Sequence, residues 1–299
     1  MQENPLVSII CLAYNHEKFV METLNSAFQQ NYQPIELIIV DDCSSDSTKS
    51  VINNWLLSHP EVQFIANEKN IGNTKSFNNA LKLAKGEYVI DLAADDLLLP
   101  NGIQMQINAF QKSEFKNLGV VYGNAAIINE DGSFNSYYFP IDKNGKVISK
   151  RIIGDIYSSV LTTGDSICSV SALIKKSVFD FLGGYDVTLA YEDLDLWIRA
   201  SREFEFDFID EILIKKRTVG NSLGSNFYQK NHSINISTYK ILRKALQLNR
   251  SKEEDLALQK RVHYEIIHSF KNQSLILFIK NIGLRLTISW RKNFKNYSN

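Results

Sequence analysis

Two adjacent carboxylates, Asp95 and Asp96, follow the apolar run Tyr88-Val89-Ile90-Asp91-Leu92. Side by side they repel unless positive charge joins them, and a divalent cation carrying a phosphate suits such a pair. The competing use is a solvated turn that caps the helix after Pro100. Asp41 closes another run, Ile35-Glu36-Leu37-Ile38-Ile39-Val40, and its oxygens could accept from a pyrimidine imide N–H or a ribose hydroxyl. Tyr14, just past Val7–Leu12, could stack on a base or close over it. Asp95 and Asp96 could reach the ribose and a metal-bound diphosphate. Asp42, Ser44 and Asp46 have an alternative use as caps of the next helix, and for Ser44 and Asp46 that use is favoured.

A second constellation is Tyr191-Glu192-Asp193-Leu194-Asp195-Leu196-Trp197-Ile198-Arg199. On a helix, Asp193 shares a side with Leu196, Trp197 and Ala200. A carboxylate beside an apolar face loses water, which raises its pKa and suits it to accept a proton. Asp195 and Arg199, four apart, are expected to form a surface ion pair. Glu192 orients Asp193, binds an acceptor hydroxyl, or sits in the first turn.

The elements that must position these groups alternate. Val7–Leu12, Ile35–Val40, Val62–Ile65 and Tyr88–Ala93 read as strands, separated by helical patterns near 17–29, through Val51, Trp55 and Leu56, and over Lys75–Ala84. That order predicts an α/β fold, a Rossmann-like, mostly parallel mixed sheet with flanking helices. The loops after such strands open on one edge, where ligands bind. Neither GxGxxG nor GxxxxGK[ST] occurs, which removes the usual support for a dinucleotide site or a P-loop. Beyond Gly119 a strand or hairpin is expected over Val120–Tyr122 and Ala125–Ile128, with residues 135–155 irregular. Further expectations are strands at Val170–Ile174, Phe206–Ile209 and Ile212–Lys215, and helices at Lys176–Leu182 and near 192–202. Residues 1–228 form the expected catalytic domain and 229–299 a helical C-terminal extension.

The 299 residues carry 33 basic and 33 acidic side chains, and this balance argues against nucleic acid as a partner. Three cysteines without paired spacing, Cys11, Cys43 and Cys168, suit a reducing compartment. No secretory signal is expected at the N-terminus, and no apolar run reaches the ~18 residues of a membrane span. The histidines suggest no zinc site, and His16 is assigned to the surface at a helix start.

In this order and spacing, several motifs resemble the family 2 glycosyltransferases, inverting enzymes of the nucleotide-diphospho-sugar transferase fold. They are Val7–Asn15, Val40-Asp41-Asp42-Cys43-Ser44, Asn70-Ile71-Gly72 with Asn78, and Gly86-Glu87-Tyr88 leading to Asp95-Asp96 and Pro100. Gly183-Gly184-Tyr185-Asp186 and Glu192-Asp193 with Trp197 and Arg199 complete the set. The resemblance implies a donor site of Ala13, Tyr14, Asn15, Asp41 and Asp95, with Asp41 on the nucleobase, uracil for choice, and Asp95 on the ribose or metal. It implies Mn²⁺ or Mg²⁺ on Asp96, Asp193 as general base and Glu192 toward the acceptor. Lys75 and Arg217 are two basic candidates for the donor; Arg217 stands in a segment, 217–222, where relatives often carry a histidine. Relatives also often carry an acidic residue where this chain has Ala93, which leaves the metal site resting on Asp95-Asp96.

The implied partners are a nucleotide-sugar donor and a glycan or lipid-linked sugar acceptor, in bacterial surface polysaccharide synthesis; the expected place is the cytoplasm, with the inner face of the plasma membrane as the alternative. Ser274–Ile279 followed by Lys280, Arg285, Trp290, Arg291, Lys292 and Lys295 reads as a basic amphipathic helix. It either lies on an anionic membrane or packs on protein. A nucleotidyltransferase and a non-catalytic nucleotide-sugar-binding scaffold are the alternatives. Loops around 135–165 and 217–228 are expected to choose the substrate.

Overall fold

The structure, a computed structural model, describes residues 4–162, 167–220, 230, 232–294 and 297. The chain divides into two units. One comprises Met1–Gly154, Cys168–Tyr185 and Phe204–Val219; the other, Asp155–Ile167, Asp186–Glu203 and Gly220–Asn299.

The first unit begins with β1 (Val7–Ala13), α1 (Val20–Phe28), β2 (Ile35–Asp41), α2 (Thr48–Leu56), β3 (Gln63–Ala66), α3 (Asn73–Leu81) and β4 (Tyr88–Ala93). These strands pair in parallel in the order β3-β2-β1-β4. β1 and β2 are apolar on both faces because helices cover both sides of a parallel sheet. Val7, Ile9, Ile10, Ile38, Ile39 and Val40 are accordingly buried. The chain then runs through β5 (Leu97–Leu98), α4 (Gly102–Lys112), β6 (Leu118–Ile128) and β7 (Phe134–Tyr137). The sheet is completed by β8 (Leu173–Lys175), which is followed by α6 (Lys176–Leu182), and by β9 (Glu205–Arg217).

β8 runs antiparallel to β4 and β6, β9 parallel to β6, and β5 antiparallel to β9. The mixed sheet expected from the sequence is what forms. Within it, the two apolar runs 120–122 and 125–128 are one continuous β6 rather than a hairpin, and 206–209 and 212–215 are one β9. Register shifts near Tyr122/Asn124 and Asn124/Ala125 absorb the polar residues that interrupt each pattern. β7, whose residues 135–137 fall in the stretch expected to be irregular, pairs with β6.

At the end of the sheet where β1 and β4 begin, Gly86 approaches β1 closely. Its N–H donates to Ser8 Oγ (2.8 Å) and Glu36 Oε1 (3.0 Å), and Ser8 Oγ also bonds Glu36. A Cβ at Gly86 would stand 2.6 Å from the Ser8 backbone nitrogen. Gly86→Ala is therefore expected to cost about 2–3 kcal/mol of stability, read as a lower urea midpoint at unchanged m-value.

The second unit is helical: α5 (Tyr157–Thr162), α7 (Glu192–Ala200), α8 (Ser233–Leu248), α9 (Lys252–Lys271) and α10 (Leu275–Phe294). α9 opens with a capping box, Ser251 Oγ accepting from Glu254 N (3.2 Å) while Glu254 Oε2 accepts from Ser251 N (3.3 Å). Tyr157 of α5 donates to Asn249 Oδ1 (2.8 Å), and Arg202 pairs with Glu254 and stacks on the Tyr157 ring at 4.1 Å. Buried Asp255 pairs with Arg291 at 3.2 Å and accepts from Asn249 Nδ2 (2.7 Å), fixing α10 against its neighbours. Among the described residues no helix is long and apolar enough to cross a membrane.

Candidate active site

In the first unit, β1 lies between β2 and β4, and the sheet reverses its order of growth there. Ligands of open α/β sheets bind at the carboxyl ends of strands at such a switch point. Ala13, Tyr14 and Asn15 leave β1 at that edge, Asp41 ends β2 in register with Ala13, and Asp95 and Asp96 follow β4. The edge thus gathers most of the sequence-predicted donor residues.

The loops are laced together. The Ala13 carbonyl accepts from Asp42 N (2.9 Å). Asn15, at φ 59°, donates its N–H to Ser44 Oγ (2.9 Å) and accepts from Ser45 N (2.8 Å). Asp41 is buried and accepts from both the hydroxyl and the N–H of Ser44. Ser44 thus ties loops together rather than capping α2, whereas Asp46 accepts from Thr48 N (2.9 Å) at the start of that helix. Tyr14 is exposed, its ring open to solvent at the rim.

Asp42 has a larger role than capping. It accepts from Asn67 Nδ2 (2.8 Å), Ile71 N (2.9 Å), Gly72 N (2.8 Å) and Ser76 Oγ (3.1 Å), which fixes the loop between β3 and α3. Gly72, at φ +87°, turns its N–H toward Asp42 in a conformation that favours glycine. Lys75 lies on the following turn, with its side chain exposed. Asn78 of α3 accepts from Tyr185 N (3.0 Å) and donates to Tyr185 O (2.8 Å), while Tyr185 Oη donates to Asp91 (2.9 Å). Two sequence motifs that are a hundred residues apart therefore meet.

Asp96 is only 3% exposed and accepts from Arg217 N (2.8 Å). Burial first, and then the charge of Asp95, push its carboxyl up to about 7. Arg217 itself is turned inward. Its guanidinium donates to Asp95 O (3.1 Å), Asn129 O (3.3 Å), Glu130 O (2.9 Å) and Glu22 Oε2 (2.7 Å), and lies over the Phe19 ring at 4.8 Å. Its contacts bind the turn that carries Asp95 and Asp96. His16, assigned from sequence to the surface, has Nε2 4.0 Å from Asp95. Neither that approach nor the Glu22 pair had a signal in the sequence, because both depend on how elements far apart in the chain come together. Asn221 and Ser222, with the rest of the 217–228 loop past Gly220, lie outside the described residues, as do 163–166.

The residues here fit a divalent cation. Two hard carboxylates stand together, and the inner one is held up by burial and by like charge, a penalty that a cation relieves. Among the described residues no group of three or more His, Cys, Asp or Glu side chains gathers to cage a metal.

In the second unit, Glu192 and Asp193 occupy the first turn of α7 and are half-buried, ahead of buried Leu196, Trp197 and Ala200. Asp195 is not a surface residue, as its pairing with Arg199 had suggested. It is 1% exposed and is held by Arg199 Nε (2.7 Å) and by Lys244 Nζ of α8 (2.8 Å). Lys244 also binds Asp186. Burial pushes Asp186 up, but its bonds from Lys244 and Thr188 outweigh this and hold it down at about 2. Its folded value is depressed, so the stability it contributes is present above pH about 4 and lost as pH falls through about 2. Lys244→Met is expected to flatten that acid limb in melts taken between those two pH values.

The sequence profile of Glycosyl transferase family 2 matches residues 8–182. An uncharacterized glycosyltransferase from Methanocaldococcus jannaschii is 28% identical over 218 residues, covering 72% of this chain and 71% of its own. Against other relatives the chain spans as little as 28% of the relative's length. Among solved structures, Staphylococcus aureus TarS 1-349 in complex with UDP-GlcNAc superposes with a TM-score of 0.70 at 17% identity, over 94% of this chain and 81% of that one. The mannosyltransferase PcManGT from Pyrobaculum calidifontis, in complex with GDP-Man and Mn²⁺, gives 0.59 at 14% identity, over 98% and 88%. The sheet order, the carboxylates at its edge and the profile match agree: the chain belongs to glycosyl transferase family 2 and is a glycosyltransferase.

Proposed function

We propose that this glycosyltransferase moves a sugar from a nucleotide sugar, UDP-linked, to an acceptor hydroxyl with inversion. The observation that carries the reading is the row of carboxylates at the switch point, Asp41 beyond one side of β1 and Asp95-Asp96 beyond the other. Each Asp41 oxygen has more than one lone pair, so the Ser44 bonds leave capacity for the uracil imide N–H. Ala13, Tyr14 and Asn15 frame the base, and Asp95 takes the ribose or metal. Asp96 holds Mn²⁺ or Mg²⁺. That cation, when bound, offsets charge on the departing diphosphate. UDP-GlcNAc in TarS, and GDP-Man with Mn²⁺ in the mannosyltransferase, support a nucleotide sugar and a divalent cation on this fold.

Asp193 removes the proton from the attacking hydroxyl, and Glu192 binds the acceptor. Lys75 is the exposed cation assigned to the donor phosphates. Arg217, whose guanidinium is engaged with the turn, serves the donor by holding Asp95 and Asp96 in place. The acceptor is a glycan or lipid-linked sugar of bacterial surface polysaccharide assembly, met at the inner face of the plasma membrane through the C-terminal helices.

A donor screen tests this. Purified chain with Mn²⁺ is offered UDP-, GDP- and dTDP-sugars, following thermal shift and nucleoside diphosphate release. One UDP-sugar that stabilises the protein and is slowly hydrolysed only with metal is the expected result. Release of inorganic diphosphate would make it a nucleotidyltransferase, and no response to any donor would refute the cleft.

A further inference from the structure

The chain's zero net charge conceals a division. Residues 229–299 carry 14 Lys and Arg against 4 Asp and Glu, a net of +10, and residues 1–228 carry the opposite −10. The positive segment is the one that forms α8, α9 and α10.

α10 is apolar on two sides. Leu277, Leu284 and Ile288 are buried against the other helices, with Asn281 between them. The opposite side of a surface helix is ordinarily polar. Here it carries Ile276, Ile279, Gly283, Leu286 and Trp290, at steps of three and four residues that align them in one stripe. The four large side chains are 59–66% exposed. Leu275 widens the stripe, and exposed Phe270 of α9, its ring 5.7 Å from that of Phe278, extends it across the α9–α10 turn. A patch of this kind marks an interaction surface.

The flanks are basic. Lys271 and Lys280 are exposed on or beside this face, Lys280 lying 5.6 Å from the Tyr239 ring, while exposed Arg285, farther round α10, lies 3.1 Å from His263 Nδ1 of α9. No acidic residue occurs in α10. A second copy seated on the stripe would bring these positive flanks together, which costs energy. An anionic lipid surface accepts both features, the apolar stripe entering the acyl boundary and the long basic side chains reaching back to phosphate.

We propose that the outward face of α10, with Phe270, is a peripheral docking surface for anionic phospholipid, on which α10 lies in the membrane plane. This rests on the membrane contact included in the functional reading and names its residues and its lipid chemistry. The test uses neither donor nor acceptor, so its failure leaves sugar transfer standing.

The full chain is sedimented with vesicles of phosphatidylcholine alone or with one-third phosphatidylglycerol. Binding about tenfold or more tighter to the anionic vesicles is expected. Trp55 and Trp197 are buried and Trp290 is exposed, so a blue shift of tryptophan emission on binding should report Trp290. Trp290→Phe should remove the shift and keep sedimentation. Ile279→Ser with Leu286→Ser should weaken binding about tenfold or more at unchanged melting temperature, and Lys280→Gln should reduce the anionic preference about fivefold. Equal binding to both vesicle types, or none, overturns the proposal. So does a dimer in sedimentation velocity that Leu286→Ser dissolves, which would give the face to a second copy.

Discussion

Asp193→Asn is expected to lower kcat for sugar transfer by about 10²–10⁴-fold, the range over which a positioned general base contributes. The amide keeps the size of the side chain and the first turn of α7, but it takes no proton from an acceptor hydroxyl. Donor affinity and melting temperature should stay at their wild-type values, which separates lost chemistry from lost structure. The pH profile supplies a second readout, because the acidic limb of kcat/KM set by this base should vanish with it. A variant that transferred sugar at the full rate would remove Asp193 from the role.

Asp96→Asn is expected to abolish the thermal shift that donor and Mn²⁺ give together, and its sign without metal is as informative. The folded carboxyl, pushed up to about 7 by burial and by Asp95, holds its proton more tightly than in the unfolded chain. Its contribution to stability is therefore full below pH about 4 and is lost as pH rises through about 7. The neutral amide escapes that loss while its oxygen still accepts from Arg217 N. Metal-free Asp96→Asn should thus melt a few degrees above wild type at pH about 8 and level with it near pH about 4. Mn²⁺ with the UDP-sugar should reverse the order at the higher pH by stabilising only the wild type. A variant that still bound donor with metal would place the cation elsewhere.

The parallel part of the sheet could be read from the sequence because strands covered on both faces are written as unbroken apolar runs. Val7–Ala13 and Ile35–Asp41 are of this kind, and their ends announce the edge where ligands bind. β6 and β9 were legible only as fragments. Asn124, at the break in β6, is buried, and its side chain bonds both Phe139 O and Phe139 N, so a polar residue that reads as a turn serves inside a strand. Asp210 and Glu211 interrupt β9 in the same way, and both meet Lys146 in the stretch 135–155 whose order the pattern did not show. At the candidate site, residue types pointed to Asp41, Asp95 and Asp96, which lie after β2 and β4 at one edge of the sheet. The inward aim of Arg217 and the buried state of Asp195 were not legible, since both follow from tertiary partners, Glu22 and Lys244, that lie 195 and 49 residues away in sequence.

The four hydrogen bonds that converge on Asp42 bear on how this enzyme could be re-engineered. A loop grafted from another transferase between β3 and α3, in the hope of changing donor choice, would arrive with amide groups set for its own acceptor. Unless residue 42 and Gly72 travelled with it, those amides would be stranded and the graft would lose its shape before it met any sugar. The loops after β2 and β3 are thus one unit of inheritance, and recombination libraries for this chain should place their crossover points outside both.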